Sequence, residues 1–174
     1  MLEAMQSIHR RSEGLLAFVE NYRKLTRIPE PMPEFFSVEE LFNNIKQLTA
    51  GEKIPITFTV KPSDLRLYAD RGQIEQVLIN LIKNAIEAAT DSDIPLVSVE
   101  AISEEGKTVI IVTDNGHGIE QENIDRIFVP FYTTKHGGSG IGLSLSRQIM
   151  NNHKASISVK LPITGGTVFT LKFS

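Results

Sequence analysis

The stretch from Asp114 to Leu143 constrains this chain more than any other. It opens Asp114-Asn115-Gly116-His117-Gly118-Ile119, where a carboxylate leaves the apolar run Val109 to Val112 and enters a turn that two glycines let bend without side-chain clash. That pattern predicts a strand end delivering an acid into a cavity. The stretch closes Gly137-Gly138-Ser139-Gly140-Ile141-Gly142-Leu143, glycines that leave backbone N–H groups uncovered just ahead of an apolar-periodic, helix-like segment. A helix N-terminus approached in this way attracts anions, because its free N–H groups and the positive end of its dipole point the same way. Between the two lies Ile127-Phe128-Val129-Pro130-Phe131-Tyr132-Thr133-Thr134-Lys135, an aromatic segment ending in hydroxyls and a cation. One end suits a nucleobase and the other phosphates, with the aromatic segment as cover. The spacing fits neither GxxxxGK[ST] nor a GxGxxG that follows a strand, so a different nucleotide fold is required.

Composition narrows the partners. A chain of 174 residues can bury one core with a short appendage, and 41% hydrophobic with 22% charged residues is ordinary for a soluble globular protein. A net charge of −3 lacks the basic excess that nucleic acid demands, so no nucleic-acid partner is expected. The absence of cysteine excludes disulfides and thiolate metal sites and fits a reducing compartment. No apolar run approaches the ~18 residues of a bilayer span, and the first residues carry no signal-peptide core. A cytoplasmic domain is expected, whether or not a membrane anchors its parent protein.

Residues 2 to 27 repeat apolar side chains every seven positions: Ile8, Leu15 and Tyr22 on one line, Ala4, Phe18 and Leu25 on the next. With Arg10, Arg11, Glu13, Glu20, Arg23 and Lys24 elsewhere, this predicts a helix that pairs with others, or else one that packs on its own domain. Pro29, Pro31 and Pro33 end it in a stiff linker, which places boundaries at 1–28, 29–34 and 35–174. Ser37-Val38-Glu39-Glu40 then caps a short helix to about Ala50. Ile54 to Lys61 and Leu65 to Ala69 read as strands joined around Pro62-Ser63-Asp64, and Asp70 with Gln73 opens a helix to about Thr90. Leu96 to Ile102 and Thr108 to Asp114 are strands around the turn Ser103 to Lys107. A helix from Ile141 to about Asn152 and a hairpin, Ala155 to Leu161 and Val168 to Phe173, complete the chain. Helices and antiparallel strands in separate groups predict an α+β fold, a two-layer α/β sandwich.

The helix from Arg71 to Thr90 has a core stripe, Ile74, Val77, Leu78, Leu81, Ile82 and Ala85, and an opposite stripe, Gln73, Gln76, Asn80, Asn84 and Glu87. For Gln73 and Gln76 a solvated face suffices. Asparagine is a poor helix-interior residue, because its side chain competes for backbone hydrogen bonds. Two of them one turn apart point to a functional role, since their amide oxygens suit a hard cation such as Mg²⁺, held jointly with triphosphate oxygens.

At these positions the chain resembles the ATP-binding catalytic domain of sensor histidine kinases, in the superfamily shared with DNA gyrase B, ninety-kilodalton heat-shock chaperones and mismatch-repair ATPases. Gln76 to Ala85 resembles the asparagine box, Asp114 to Ile119 the first glycine box and Phe128 to Lys135 the phenylalanine box. Gly138 to Leu143 resembles the second glycine box, and Gly165-Gly166-Thr167-Val168-Phe169 the closing glycine-threonine strand. The wording of Ile127 to Lys135 is similar to that of nitrogen-regulation-type kinases. The resemblance implies ATP and Mg²⁺ as cofactors. It makes Asp114 the acceptor of the adenine N6 hydrogens, supported by Thr167, with Gly118 admitting the backbone to the base and Gly116 in the same box. It gives Asn84 the metal with Asn80 assisting, places Gly138, Gly140, Gly142 and Leu143 at the nucleotide, and puts Thr133, Thr134 and Lys135 in a mobile lid. Asn80 and Lys135 are the catalytic candidates. The residue chemistry agrees at Asp114, since an anionic acceptor suits adenine's amine and repels guanine's carbonyl.

The first helix then resembles the second helix of a kinase dimerisation hairpin. The resemblance implies a homodimeric parent, a separate helix carrying the phosphoacceptor histidine, and a response-regulator protein as partner. None of the four histidines has phosphoacceptor surroundings: His9 precedes two arginines, His117 sits in a glycine box, His136 in the lid and His153 at a helix end, where cations are welcome. His153-Lys154-Ala155 departs from the family's His-Gly-Gly and leaves the end of that helix in question. In superfamily ATPases a glutamate stands where this chain has Asn80, which favours phosphoryl transfer to histidine over hydrolysis. The alternatives are an ATPase using Glu75 or Glu87 as base, a protein-serine kinase, and a non-catalytic nucleotide-binding or dimerisation module.

Overall fold

The computed structural model describes residues 2–135 and 138–174, with some side chains of the first helix left aside. His136 and Gly137 lie outside the described residues, as do the side chains of Ala4, Ile8, Arg10, Arg11 and Lys24. Helix α1, Leu2–Thr26, ends ahead of the proline segment. Leu15, Phe18 and Tyr22 of its apolar lines remain exposed on this chain.

Strand β1, Glu34–Ser37, leads into helix α2, Val38–Leu48, capped as its sequence predicts: the Ser37 hydroxyl accepts the Glu40 N–H at 3.3 Å. Strand β2, Ile56–Lys61, and strand β3, Arg66–Ala69, do follow each other across the Pro62 turn. They do not form one hairpin, however. β3 pairs antiparallel with β1 in a separate ribbon, Glu34 opposite Ala69, while β2 joins the main sheet. Helix α3, Arg71–Ala89, is capped by Asp70, whose Oδ1 accepts the Gln73 N–H at 3.0 Å.

The main sheet has the order β2-β4-β5-β7-β6, built with β4 Val97–Glu104, β5 Lys107–Asp114, β6 Ser156–Lys160 and β7 Thr167–Lys172. Only β2 runs parallel to its neighbour, so the sheet is mixed. β4 and β5 extend further than their apolar runs, and the turn between them shrinks to Glu105-Gly106, both at positive φ (52° and 76°), as a two-residue hairpin turn demands. Helices α2, α3 and α4, Gly142–Asn152, lie against the sheet, with α3 also packed on α4. This is the expected two-layer sandwich, with the β1–β3 ribbon added.

The register explains where the site falls. On the helix-covered face, Ala101, Ile110 and Leu171 form one cross-strand row, and Val99, Val112 and Phe169 the next. The third row is Val97, Asp114 and Thr167, so the apolar face ends in a buried polar pair. Above it, α3 buries Ile74, Val77, Leu78, Leu81 and Ile82 completely. Each such side chain contributes about 1.5–3 kcal/mol, far more than the ~0.7 kcal/mol of helix propensity that each asparagine on the other stripe costs. Packing therefore lets α3 carry Asn80 and Asn84 mid-helix.

Gln73 corrects the expectation of a solvated residue. It is 7% exposed, its Nε2 donates to the Pro29 carbonyl at 3.1 Å, and its Oε1 is buried without a partner. The proline segment covers it, which no pattern within α3 reveals. Gln76 is exposed, as expected.

Candidate active site

Between α3, the ends of β5 and β7, and the lid lies a cavity of about 400 Å³, within the usual range for small-molecule sites. Every residue singled out from the sequence for this chemistry lines it, with the exception of Gly116.

At the sheet end of the cavity, Asp114 is 4% exposed. Burial pushes its carboxyl above the ordinary aspartate range, against the lowering effect of donors on Gly116 and Thr167. The Gly116 N–H reaches Asp114 Oδ1 at 2.9 Å. Gly116 thus acts one step behind the wall: any Cβ there would collide with the Ala88 carbonyl on α3, so the glycine lets the β5 turn meet that helix. Gly118 lines the cavity directly, and Thr167 stands opposite Asp114 in register.

At the helix end, Asn80 donates from Nδ2 to Ser146 Oγ on α4 at 2.9 Å, and Ser146 in turn donates to the Gly142 carbonyl at 2.9 Å. A side chain at Gly142 would drive into the Asn80 amide, so glycine here seats the first turn of α4 against α3. Asn84 faces the lid instead. Its Oδ1 accepts from Lys135 Nζ at 3.1 Å, and the same ammonium lies 2.5 Å from Glu87 Oε2.

The lid is folded over these groups. The Lys135 N–H donates to Thr133 Oγ1 at 3.1 Å, the Gly138 N–H to the Lys135 carbonyl at 3.2 Å, and Phe131 N–H to the Gly140 carbonyl at 2.9 Å. Phe131 has φ 65°, a conformation unusual for a residue with a side chain, and its ring stacks on Phe18 of α1 with centroids 5.1 Å apart. Tyr132 donates its hydroxyl to Asn123 Oδ1, in the short 3-10 helix Gln121–Arg126, and Arg126 lies over the Tyr132 ring at 4.2 Å. Thr134, Gly138, Gly140 and Leu143 complete the cavity wall on this side.

A divalent cation would meet a partial set of ligands. Among the described residues no group of three or more His, Asp or Glu side chains could hold a metal. Asn84 Oδ1 nevertheless already faces a cation, the lysine ammonium, and oxygen donors are what Mg²⁺ prefers. The residues present fit a metal whose remaining ligands come with phosphate.

The sequence pattern puts Glu87 on the polar stripe without giving it a partner, and it holds no signal for Ser146, Asn123 or the role of Tyr132. His153 stands at the end of α4, as expected, where its Nε2 accepts the Asp70 N–H at 3.0 Å and its Nδ1 lies 2.8 Å from the Ile149 carbonyl, so the ring ties α4 to the start of α3.

Comparison with known proteins decides the family. The family described as Histidine kinase-, DNA gyrase B-, and HSP90-like ATPase matches residues 69–174, well over half of the chain. The chain belongs to this ATPase family. Relatives of this family member include the sensor histidine kinase ZraS of Salmonella typhimurium, 37% identical over 131 residues, which are 74% of this chain and 28% of that protein. The C4-dicarboxylate transport sensor protein DctB of Rhizobium meliloti is 32% identical over 171 residues, 95% of this chain and 27% of its own length. The chain thus spans about a quarter of these relatives. Among solved structures, the catalytic domain of histidine kinase ThkA is similar with TM-score 0.73 and 33% identity, covering 82% of this chain and 95% of that one. Histidine kinase ThkA in complex with response regulator protein TrrA gives TM-score 0.76 and 27% identity, over 98% of this chain and 50% of that one. The fold of this family member is accordingly that of a histidine-kinase catalytic domain. Among the described residues, no helix is long and apolar enough to cross a membrane.

Proposed function

We propose that this chain is the ATP-binding catalytic domain of a two-component sensor histidine kinase, passing the γ-phosphate of Mg-ATP to a histidine that is none of its own four. Residues 1–28 are then the second helix of a dimerisation hairpin, 29–34 a linker and 35–174 the catalytic domain. The phosphoacceptor helix of the same parent and a response regulator are its partners, as the ThkA–TrrA complex suggests by similarity.

Phosphoryl transfer demands mainly positioning and charge neutralisation. In this reading Asp114, with Thr167 beside it, takes the N6 hydrogens of adenine and disfavours guanine. Asn84 holds the metal with Asn80 at its side, and the lid residues Thr133, Thr134 and Lys135 close on the phosphates with Gly138, Gly140, Gly142 and Leu143 beneath. Mg²⁺, when bound, neutralises and orients phosphate oxygens. A neutral imidazole acceptor needs little activation near neutral pH.

The observation that carries this reading is the amide at position 80, bonded through Nδ2 to Ser146, where hydrolysis would call for a carboxylate to activate water. One observation favours a second reading. Glu87 lines the cavity, whereas Glu75 does not, so Glu87 is the base an ATPase would use. Steady-state phosphate release from Mg-ATP tests the two. Slow release with tight, metal-dependent ATP binding is expected; rapid release abolished by Glu87→Gln would establish the ATPase.

A further inference from the structure

Asn84 and Glu87 stand one turn apart on α3, and their side-chain oxygens meet at one point. The point is filled by the Lys135 ammonium, 3.1 Å from Asn84 Oδ1 and 2.5 Å from Glu87 Oε2. Glu87 has Lys83 one turn back on its own helix, yet the ion pair it makes is with a lysine of the lid, across the cavity. The ammonium therefore sits on the oxygen proposed to hold the metal. Two cations cannot share that place, since their repulsion at contact distance exceeds anything two partly exposed oxygens return.

We infer that Glu87 is a positioning residue that holds Lys135 on Asn84, so that the lid lysine and the nucleotide's divalent metal compete for one place and metal-nucleotide binds only by displacing the lysine. The inference rests on the reading of this cavity as a metal-nucleotide site and adds to it a residue and an order of events. The displaced ammonium is then free to meet the phosphate that arrives with the metal. Lys135 thereby reaches the phosphate only when metal is present.

Calorimetric titration with ADP, in excess Mg²⁺ and in chelator, tests this on the whole chain. ADP is the probe because it lacks the γ-phosphate that Lys135 serves in the proposed reaction. The lysine and glutamate side chains are 41% and 61% exposed, so the pair is a partly solvated one and its release should be worth about two- to fivefold in affinity. Both Glu87→Gln and Lys135→Met should tighten Mg-ADP by that factor and change metal-free ADP less. The double variant should bind no tighter than either single one, because each removes the same contact. Weaker Mg-ADP binding by Lys135→Met would make the lysine a plain phosphate ligand, and weaker binding by Glu87→Gln would make the glutamate a partner of the metal; either overturns the inference. So would additive gains, or gains equally large without metal, which point to independent charge changes. The wild-type titration decides the underlying reading separately, since loss of the nucleotide-site reading shows as no ADP binding in either condition.

Discussion

Asp114 is buried, and the acceptor role proposed for it requires a charge that burial opposes. Burial raises its carboxyl above the ordinary range, and the donors of Gly116 and Thr167 offset this only in part. A group whose proton is held more tightly in the folded protein favours the fold below its unfolded pKa and loses that contribution as pH rises through the folded one. The fold thus favours the protonated form of Asp114, whereas the proposed adenine contact needs the ionised one. Asp114→Asn should melt at the same temperature as wild type or higher, yet bind ATP more weakly by about 1.5–3 kcal/mol, the range for a hydrogen bond to a charged group. Unchanged affinity by calorimetry would refute the adenine assignment. Since the proton blocks the acceptor, wild-type ATP affinity should fall on acidification from a higher pH than an ordinary aspartate would give. Asn84→Ala acts on the other end of the cavity: in the chain joined to an acceptor helix phosphoryl transfer should be lost, while metal-free ADP binding persists, with a circular-dichroism melt to exclude unfolding. Asp114 was legible because a carboxylate, a strand end and glycines are contiguous in sequence. The seat of Gly116 behind the cavity wall is not legible, because its neighbour, Ala88, comes from another element. Gln73 and Glu87 were likewise hidden, since the linker and the lid that engage them are remote along the chain.

At the scale of elements, α4 ends without the glycine that the expected His-Gly-Gly would supply. Lys154 takes φ 55° in its place, its N–H donating to the Asn151 carbonyl and that of Ala155 to the Met150 carbonyl, both at 2.9 Å. The helix terminates normally, and an exposed lysine bears the left-handed conformation. Lys154→Gly should therefore stabilise the protein by about 0.5–1 kcal/mol, the relief of αL strain less glycine's added chain entropy; a destabilised variant in urea unfolding would mean that the lysine side chain itself contributes. Asp70 works at the opposite end of α3, accepting from both Gln73 N–H and Met32 N–H at 3.0 Å. Burial opposes its charge, but these backbone donors prevail and hold its carboxyl below the ordinary range. Its contribution is present above the unfolded pKa and disappears as pH falls through the folded one. Asp70→Ala should cost about 1–2 kcal/mol in the same unfolding measurement at pH 7, and the deficit should shrink in acid. Elements with such caps were legible, because cap and stripe lie within a few residues. The β1–β3 ribbon was not: a four-residue strand has little periodicity, and its partner lies about thirty positions away. The 3-10 helix Gln121–Arg126 is too short and too exposed to leave a pattern.

For the molecule as a whole, α1 leaves Leu15, Leu16, Phe18 and Tyr22 exposed on one chain, and Phe18 touches the lid at Phe131. Apolar exposure of this kind calls for a partner, and the proposed one is the hairpin helix that carries the acceptor histidine, in a dimer. In the proposed reading the cavity has an adenine end and a metal end, but an amide at Asn80 where water would need a base. The chain by itself should therefore bind Mg-ATP, release phosphate slowly and incorporate none of it. Fusing the parent's acceptor helix ahead of Leu2 should restore labelling, because tethering raises the concentration of acceptor at the cavity to about millimolar, while the proline segment sets the angle of approach. The assay is transfer of γ-labelled phosphate to protein, read after acid and after base. Label that survives base and is lost in acid is expected from a phosphohistidine. Acid-stable label on the unfused chain would make it a serine or threonine kinase, and fast phosphate release from the fusion without label would make the cavity hydrolytic.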